Sequence, residues 1–294
     1  MSTTDGQVVG VVKLIDHGPA SDRWNLVLMG DGYQAGELPV FHADADAFVA
    51  QLRATDPFGS IFSAINVFRV DVQSTDSGAD DPAACGGTGA TARTFFDASF
   101  CNQGIQRLLT VNTNAALSTA SAQVPEMHMA IVIVNSPVYG GSGGGVAVFS
   151  RNPEAPEIAL HEMGHTAFGF ADEYEYYQGC GSGEAGHDHY AGSEPIEPNV
   201  TATIAPGQLK WRNLVDPSTA VPTTANPNCS QCDPLAGSPV PAGTVGAFEG
   251  ARYFHCGAYR PEFTCRMRAL GNPFCGVCQD VIRRHLEPFM PPEA

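Results

Sequence analysis

The chain has 294 residues, of which 43% are hydrophobic, 9% aromatic and only 16% charged, with 32 glycines and 22 prolines. That is enough chain for one large domain or two small ones, loop-rich and weakly charged, and it excludes a coiled coil, a collagen and a charge-driven disordered segment. The net charge of −16 opposes both a phosphate backbone and an anionic bilayer, and no apolar run approaches the roughly 20 residues of a spanning helix, so neither nucleic acid nor membrane is an expected partner.

Residues 24–29 (WNLVLM) read as a strand closed by the Gly30-Asp31-Gly32 turn. Across 37–54, Leu38, Phe41, Ala45, Phe48, Val49 and Leu52 recur at helical spacing, and Asp56-Pro57 ends the helix. Residues 65–72 read as a second strand, followed by a Gly/Asp/Thr-rich loop at 74–93. A weakly patterned helix is expected over 105–122 and a strongly apolar strand over 128–134. A Gly-rich connection at 137–145 leads to a brief strand at 146–149. Residues 156–170 then read as a helix whose early proline removes an N–H that needs no partner there. This alternation predicts an α/β fold built on a sheet. After Tyr174 only 278–286 has helical patterning, and 215–246 has no periodicity at all. We therefore divide the chain into an α/β subdomain, 1–174, and a loop-rich, cysteine-rich subdomain, 175–294, of one overall domain.

Six of the nine cysteines fall in the last 66 residues. This usage points to disulfides and an extracellular or periplasmic location, although residues 1–24 show neither the basic nor the apolar segment of a signal peptide. Cys85 and Cys101, around one loop, predict a local bridge. Cys229-x-x-Cys232 and Cys275-x-x-Cys278 resemble the halves of a zinc ribbon, but their loop-rich setting favours disulfides. The odd count leaves at least one thiol without an intrachain bridge.

The segment EIALHEMGHTAFGFADEY, 157–174, carries the chemistry. His161 and His165 stand at i and i+4 on one helix face and can reach one metal. Glu162 beside them is placed to serve as general base. Gly169 permits a sharp exit, after which Asp172 or Glu173 can turn back to the metal. Two histidines and one carboxylate leave a fourth position for water, as a catalytic zinc requires. The weaker candidates are the His187-Asp188-His189 run, which is more readily a polar loop than a second metal site, and Asp76, Asp80 and Asp81, which would suit calcium but lack regular ligand spacing. Tyr174, Tyr253 and Tyr259 could donate a hydrogen bond to a transition state. Asn199-Val-Thr201 matches a glycosylation sequon.

Several segments resemble the IgA-peptidase-like zinc metalloendopeptidases of the metzincin-type clan: LVLMGDGYQAGE at 26–37, DPFGSIFSAINVFRVDVQSTDSGAD at 56–80, ALHEMGHTAFGFADEY at 159–174, SEPIEPNVT at 193–201, LKWRNLV at 209–215 and YRPEFTCRMRALGNPFCGVC at 259–278. The resemblance implies a metzincin-like catalytic domain, with a mixed sheet and a zinc-binding helix, that cuts protein or peptide substrates. Zinc would be held by His161 and His165, with Glu162 as the base. The clan's third ligand lies three residues beyond a glycine. Here Gly169 falls one residue later than that pattern, with Phe168 in its place, and the shift turns the helix exit by about 100°. Asp172 keeps the three-residue offset and is the preferred third ligand, with Glu173 the alternative. The resemblance also implies that Met267 is the methionine turn supporting the site, and that a strand through Gly145, Val146, Ala147 and Val148 pairs with extended substrate, the alternative being a plain hairpin loop there. The expected function is thus zinc-dependent endopeptidase, working through a zinc-activated water. The alternative is a non-catalytic module on the same fold that binds protein or glycan.

Overall fold

The computed structural model describes residues 5–177, 179–180 and 186–292. Residues 1–4, residue 178, the 181–185 part of the polar 178–192 stretch, and residues 293–294 lie outside the described residues. The chain forms two compact units, 1–167 with 286–294, and 168–285.

The first unit is built on a six-stranded mixed sheet, in the order β1-β3-β2-β4-β6-β5. These strands are β1 (Gly6–Ile15), β2 (Trp24–Asp31), β3 (Ile65–Ser74), β4 (Met129–Val134), β5 (Gly141–Ser142) and β6 (Ala147–Ser150). β3, β2, β4 and β6 run parallel, while the outer strands β1 and β5 are antiparallel to their neighbours. Every residue of β2 and β4 is buried, which is why both read as unbroken apolar runs rather than alternating ones. β1 was not apparent from the sequence. Its glycines interrupt the pattern, and it lies at the sheet's edge with its residues partly or fully exposed.

The helices are α1 (Leu38–Ala54), α2 (Thr113–Gln123) and α3 (Ala155–Phe168), with α4 (Gly276–Leu286) later in the chain. α1 buries Phe41, Ala45, Phe48 and Leu52, the stripe that its spacing predicts. Of the helix expected over 105–122, only the second half forms. Asn112 caps it, its side chain accepting from the Ala115 N–H at 3.1 Å. The preceding residues are drawn into a different pairing, in which Thr110 and Ser99 form an isolated antiparallel bridge.

The long loop after β3 is pinned to the sheet by Asp31, at the end of β2. Its carboxylate accepts from Ser74 Oγ at 3.1 Å, Thr94 Oγ1 at 2.7 Å, and the N–H groups of Phe96 and Ala98 at 3.0 and 3.2 Å. Burial outweighs these four donors and raises the carboxyl to about 6. Gly32, next in sequence, has φ +72°, and a Cβ there would stand 1.9 Å from the Gly78 carbonyl oxygen, so the turn admits no side chain. Cys85 and Cys101 are joined, as their spacing predicts.

The second unit has little regular structure: the hairpin of β7 (Phe248–Ala251) and β8 (Phe254–Arg260), α4, and connecting loops. Disulfides Cys180–Cys232 and Cys229–Cys256 tie the loops together. The expectation of disulfides fails for Cys275 and Cys278, which are buried, unbridged thiols together with Cys265. The Cys229-x-x-Cys232 pair does not act as a ribbon half, because each of its cysteines bridges to a distant one. Among the described residues no helix is long and apolar enough to cross a membrane.

Candidate active site

α3 carries His161, Glu162 and His165. The two imidazoles stand edge to face, with centroids 4.7 Å apart and their Nε2 atoms 3.1 Å apart. Two nitrogens on one tetrahedral zinc, at 2.0–2.1 Å each, would be about 3.3 Å apart, so the pair could hold a metal with little adjustment. Nε2 aimed at Nε2 calls for a proton or an ion between the two rings.

The chain from β5 toward β6 crosses directly over this face of α3. A Cβ on Gly143 would meet His165 Cβ at 2.7 Å and Glu162 Oε2 at 3.2 Å, and one on Gly141 would meet Ile158 Cγ2 at 2.6 Å. The glycines of this connection therefore have a packing reason: only bare backbone can come this close to the helix.

The strand expected to border the site needs correction. β6 is not the outer strand. Val148 and Phe149 pair with Ser142 and Gly141 of β5 on one side and with Val132 and Ile133 of β4 on the other. Val146, Ala147 and Val148 are buried, whereas Gly145 is exposed and lies outside the strand. The sheet thus ends in two-residue β5, too short to be visible in the sequence.

In the second unit, Asp172 and Glu173 lie on a peptide held on several sides. Asn199, fully buried, clamps Ala171 through both of its backbone groups: its Oδ1 accepts from Ala171 N–H at 2.8 Å and its Nδ2 donates to Ala171 O at 2.9 Å. The sequon reading of Asn199 is therefore replaced by a structural one, its amide being internal. The Arg252 and Tyr253 N–H groups donate to the carbonyls of Asp172 and Tyr174, both at 3.0 Å. The Tyr253 hydroxyl donates to Asp172 Oδ2. Of the three tyrosines weighed from the sequence, Tyr253 is thus bonded to a candidate ligand. Tyr259 instead donates to Glu249 at 3.1 Å. Arg252 and Tyr253 both have positive φ, at 55° and 69°, and this turn presents their N–H groups.

Asp172 and Glu173 are engaged by different partners, as the side chains of adjacent residues point apart. Glu173 is fully buried. Its Oε1 accepts from Asn199 Nδ2 at 2.9 Å and lies 3.7 Å from Cys278 Sγ. Burial holds its carboxyl well above the usual range. Its N–H donates to the Met267 carbonyl at 2.8 Å, so Met267, itself fully buried, supports the 172–173 peptide through its backbone. Asn199 and the 252–253 turn were not visible in the sequence as supports for this peptide, since only folding brings them to it.

The remaining candidates are engaged elsewhere. His187 Nδ1 lies 2.8 Å from the Tyr253 carbonyl, and its ring stacks on Tyr177. Asp76 pairs with Arg93, Asp80 accepts from Ala92 N–H, and Asp81 accepts from Thr88 and Gln106. Neither set belongs to a three-ligand group among the described residues.

The site thus sets a helix bearing two histidines and a glutamate beside a mixed sheet whose central strands are buried. The family model described as IgA Peptidase M64 matches residues 12–229 and 228–286, so the chain belongs to that family and is a peptidase. A search of curated proteins found no match.

Proposed function

We propose that the protein is a zinc-dependent endopeptidase whose metal is held by His161, His165 and Asp172. The observation that carries this reading is the 3.1 Å approach of the two Nε2 atoms on α3, in a chain of a peptidase family. Zinc, when bound, would polarise the scissile carbonyl and make water nucleophilic at neutral pH. Glu162, one residue from His161 on the same helix, takes the proton of the attacking water and returns it to the departing amine nitrogen. The Tyr253 hydroxyl donates to the Asp172 carboxylate and orients it. Asp172 is preferred over Glu173 because Glu173 is engaged by Asn199 and packed beside thiols. Only three residues separate Asp172 from the end of α3, and Gly169, with φ +65°, provides the bend. β5 itself is bonded on its outer side, Gly141 N–H donating to Arg107 O at 3.1 Å, so the bare backbone that would meet an extended peptide beside Glu162 is that of the glycines after it. Three disulfides favour an oxidising, extracellular or periplasmic setting.

The test is cleavage of a mixed peptide library by wild type, by chelator-treated protein and by Glu162→Gln. Wild type is expected to cut internal bonds, chelator to abolish cutting, and Glu162→Gln to lose several orders of magnitude while retaining zinc and its melting temperature. Undiminished turnover by Glu162→Gln would move the base elsewhere. An intact, zinc-loaded wild type that cuts nothing would favour a binding module.

A further inference from the structure

The nine cysteines divide into three disulfides and three thiols, and the three thiols converge on one carboxylate. Cys265, Cys275 and Cys278 are all buried, and their sulfurs lie with a Glu173 carboxylate oxygen inside a group whose atoms are all within 4.8 Å of one another. The Cys265 and Cys278 sulfurs are 3.9 Å apart, and Cys278 Sγ is 3.7 Å from Glu173 Oε1. A tetrahedral zinc with Zn–S near 2.3 Å and Zn–O near 2.1 Å would set sulfurs about 3.8 Å apart and sulfur and oxygen about 3.6 Å apart. A disulfide would need sulfurs at about 2.05 Å, and three thiols cannot all be paired.

Two further observations point to an ion. Glu173 Oε2 is buried and has no hydrogen-bond partner among the described residues, although its sister oxygen is satisfied by Asn199. An unsatisfied carboxylate oxygen in a sealed interior is costly, and a cation among the thiols would complete it. Backbone donors are also aimed at the sulfurs: Cys275 N–H points to Cys265 Sγ and Cys278 N–H to Cys275 Sγ, both at 3.4 Å. N–H donors around sulfur stabilise thiolate over thiol, as metal–thiolate ligands require. The pair Cys275-Gly-Val-Cys278 has the two-residue spacing of a metal-binding turn and opens α4.

We propose that Glu173, Cys265, Cys275 and Cys278 form a closed four-ligand site for a structural zinc ion. Four protein ligands leave no open position, so this ion takes no part in hydrolysis. Its role is to cross-link three distant segments of a unit with little sheet or helix: the 172–174 peptide, the turn bearing Met267, and the start of α4. Because Glu173 adjoins Asp172, the ion also stiffens the peptide on which Asp172 stands. On binding, each thiol loses its proton to solvent and no electron is transferred. The site stands or falls independently of the peptidase reading, since it shares no ligand with the α3 histidines.

The two sites are separated by using full-length His161→Ala/His165→Ala, which cannot hold the α3 metal. This variant is expected to keep about one zinc per chain by elemental analysis, as a closed four-ligand site binds one ion. Loaded with cobalt(II) instead, it should show the thiolate-to-cobalt charge-transfer band and intense tetrahedral absorption that a histidine–carboxylate site lacks. Adding Cys275→Ser or Glu173→Gln to this background should weaken that ion's retention against chelator by more than about 100-fold, beyond the loss of an indirect contact. Should these variants fail to fold, a mercurial titration of the double-histidine protein should release the zinc as the three thiols react, with the disulfides intact by mass. A metal-free double-histidine variant that remains folded, or a fourth disulfide among these cysteines in alkylated, unreduced protein, would overturn the proposal.

Discussion

Replacing Gly143 by alanine tests how closely the β5–β6 connection is fitted to α3. The added Cβ would stand 2.7 Å from His165 Cβ and 3.3 Å from the Glu162 carbonyl oxygen. Carbon atoms rest at about 3.5–4.0 Å, so roughly 1 Å must be opened between the connection and the helix. His165 Cβ and the Glu162 carbonyl belong to the helix itself and cannot swing aside; only Glu162 Oε2, 3.2 Å away, is the end of a flexible side chain. Overpacking of this kind costs about 1–3 kcal/mol. The gain from a stiffer unfolded chain, about 0.4–1 kcal/mol, offsets part of it, and a net loss of about 1 kcal/mol should leave the protein folded. Catalysis should suffer more, because a displacement of about 1 Å at the reacting groups costs about 10²-fold in rate. The assay is kcat/KM on a fluorogenic peptide that wild type cleaves, with melting curves recorded in parallel. Gly36→Ala is the control, since a Cβ there meets nothing within 4 Å. A Gly143→Ala protein that melts within a few degrees of wild type and cleaves at more than half its rate would refute the reasoning.

Two further outcomes follow from buried carboxylates. Asp31 titrates near 6 in the folded protein against 3.8 for an ordinary aspartate, so its contribution to stability is fully present below about pH 3.8 and is lost as pH rises to about 6. The shift of roughly two pH units corresponds to about 3 kcal/mol. Chemical denaturation of wild type and Asp31→Asn at a series of pH values should therefore show wild type losing about that much relative to the variant between about pH 4 and 7. A constant difference would mean that the four donors hold Asp31 ionised throughout. At the Asp172–Glu173 pair, chelator competition should show Asp172→Ala losing the histidine-bound zinc by more than the roughly 10–100-fold of an indirect effect, while Glu173→Ala retains it. The reverse ranking would make Glu173 the third ligand.

Local features were legible in the sequence because their physics is local. The i, i+4 spacing of His161 and His165 sets their shared face on any helix. The stripe from Phe41 to Leu52 and the apolar runs of β2 and β4 reveal helix and buried strand through periodicity alone. The loop between Cys85 and Cys101 is short enough that spacing predicted the bridge. Tertiary structure decided whatever depends on residues far apart in the chain. β5 is only two residues long and exists because the sheet's edge offers β6 as a template. Glu173 lies far before Cys265 in the chain, and no spacing rule could bring it to three thiols or show that Cys275 and Cys278 stay unbridged while Cys229 and Cys232 each find distant cysteines. Asn199 reads as a surface sequon until the fold buries it against Ala171. Periodicity reports which face of an element is apolar; which distant groups share an interior depends on chain closure and packing over the whole unit, which no short window of sequence contains.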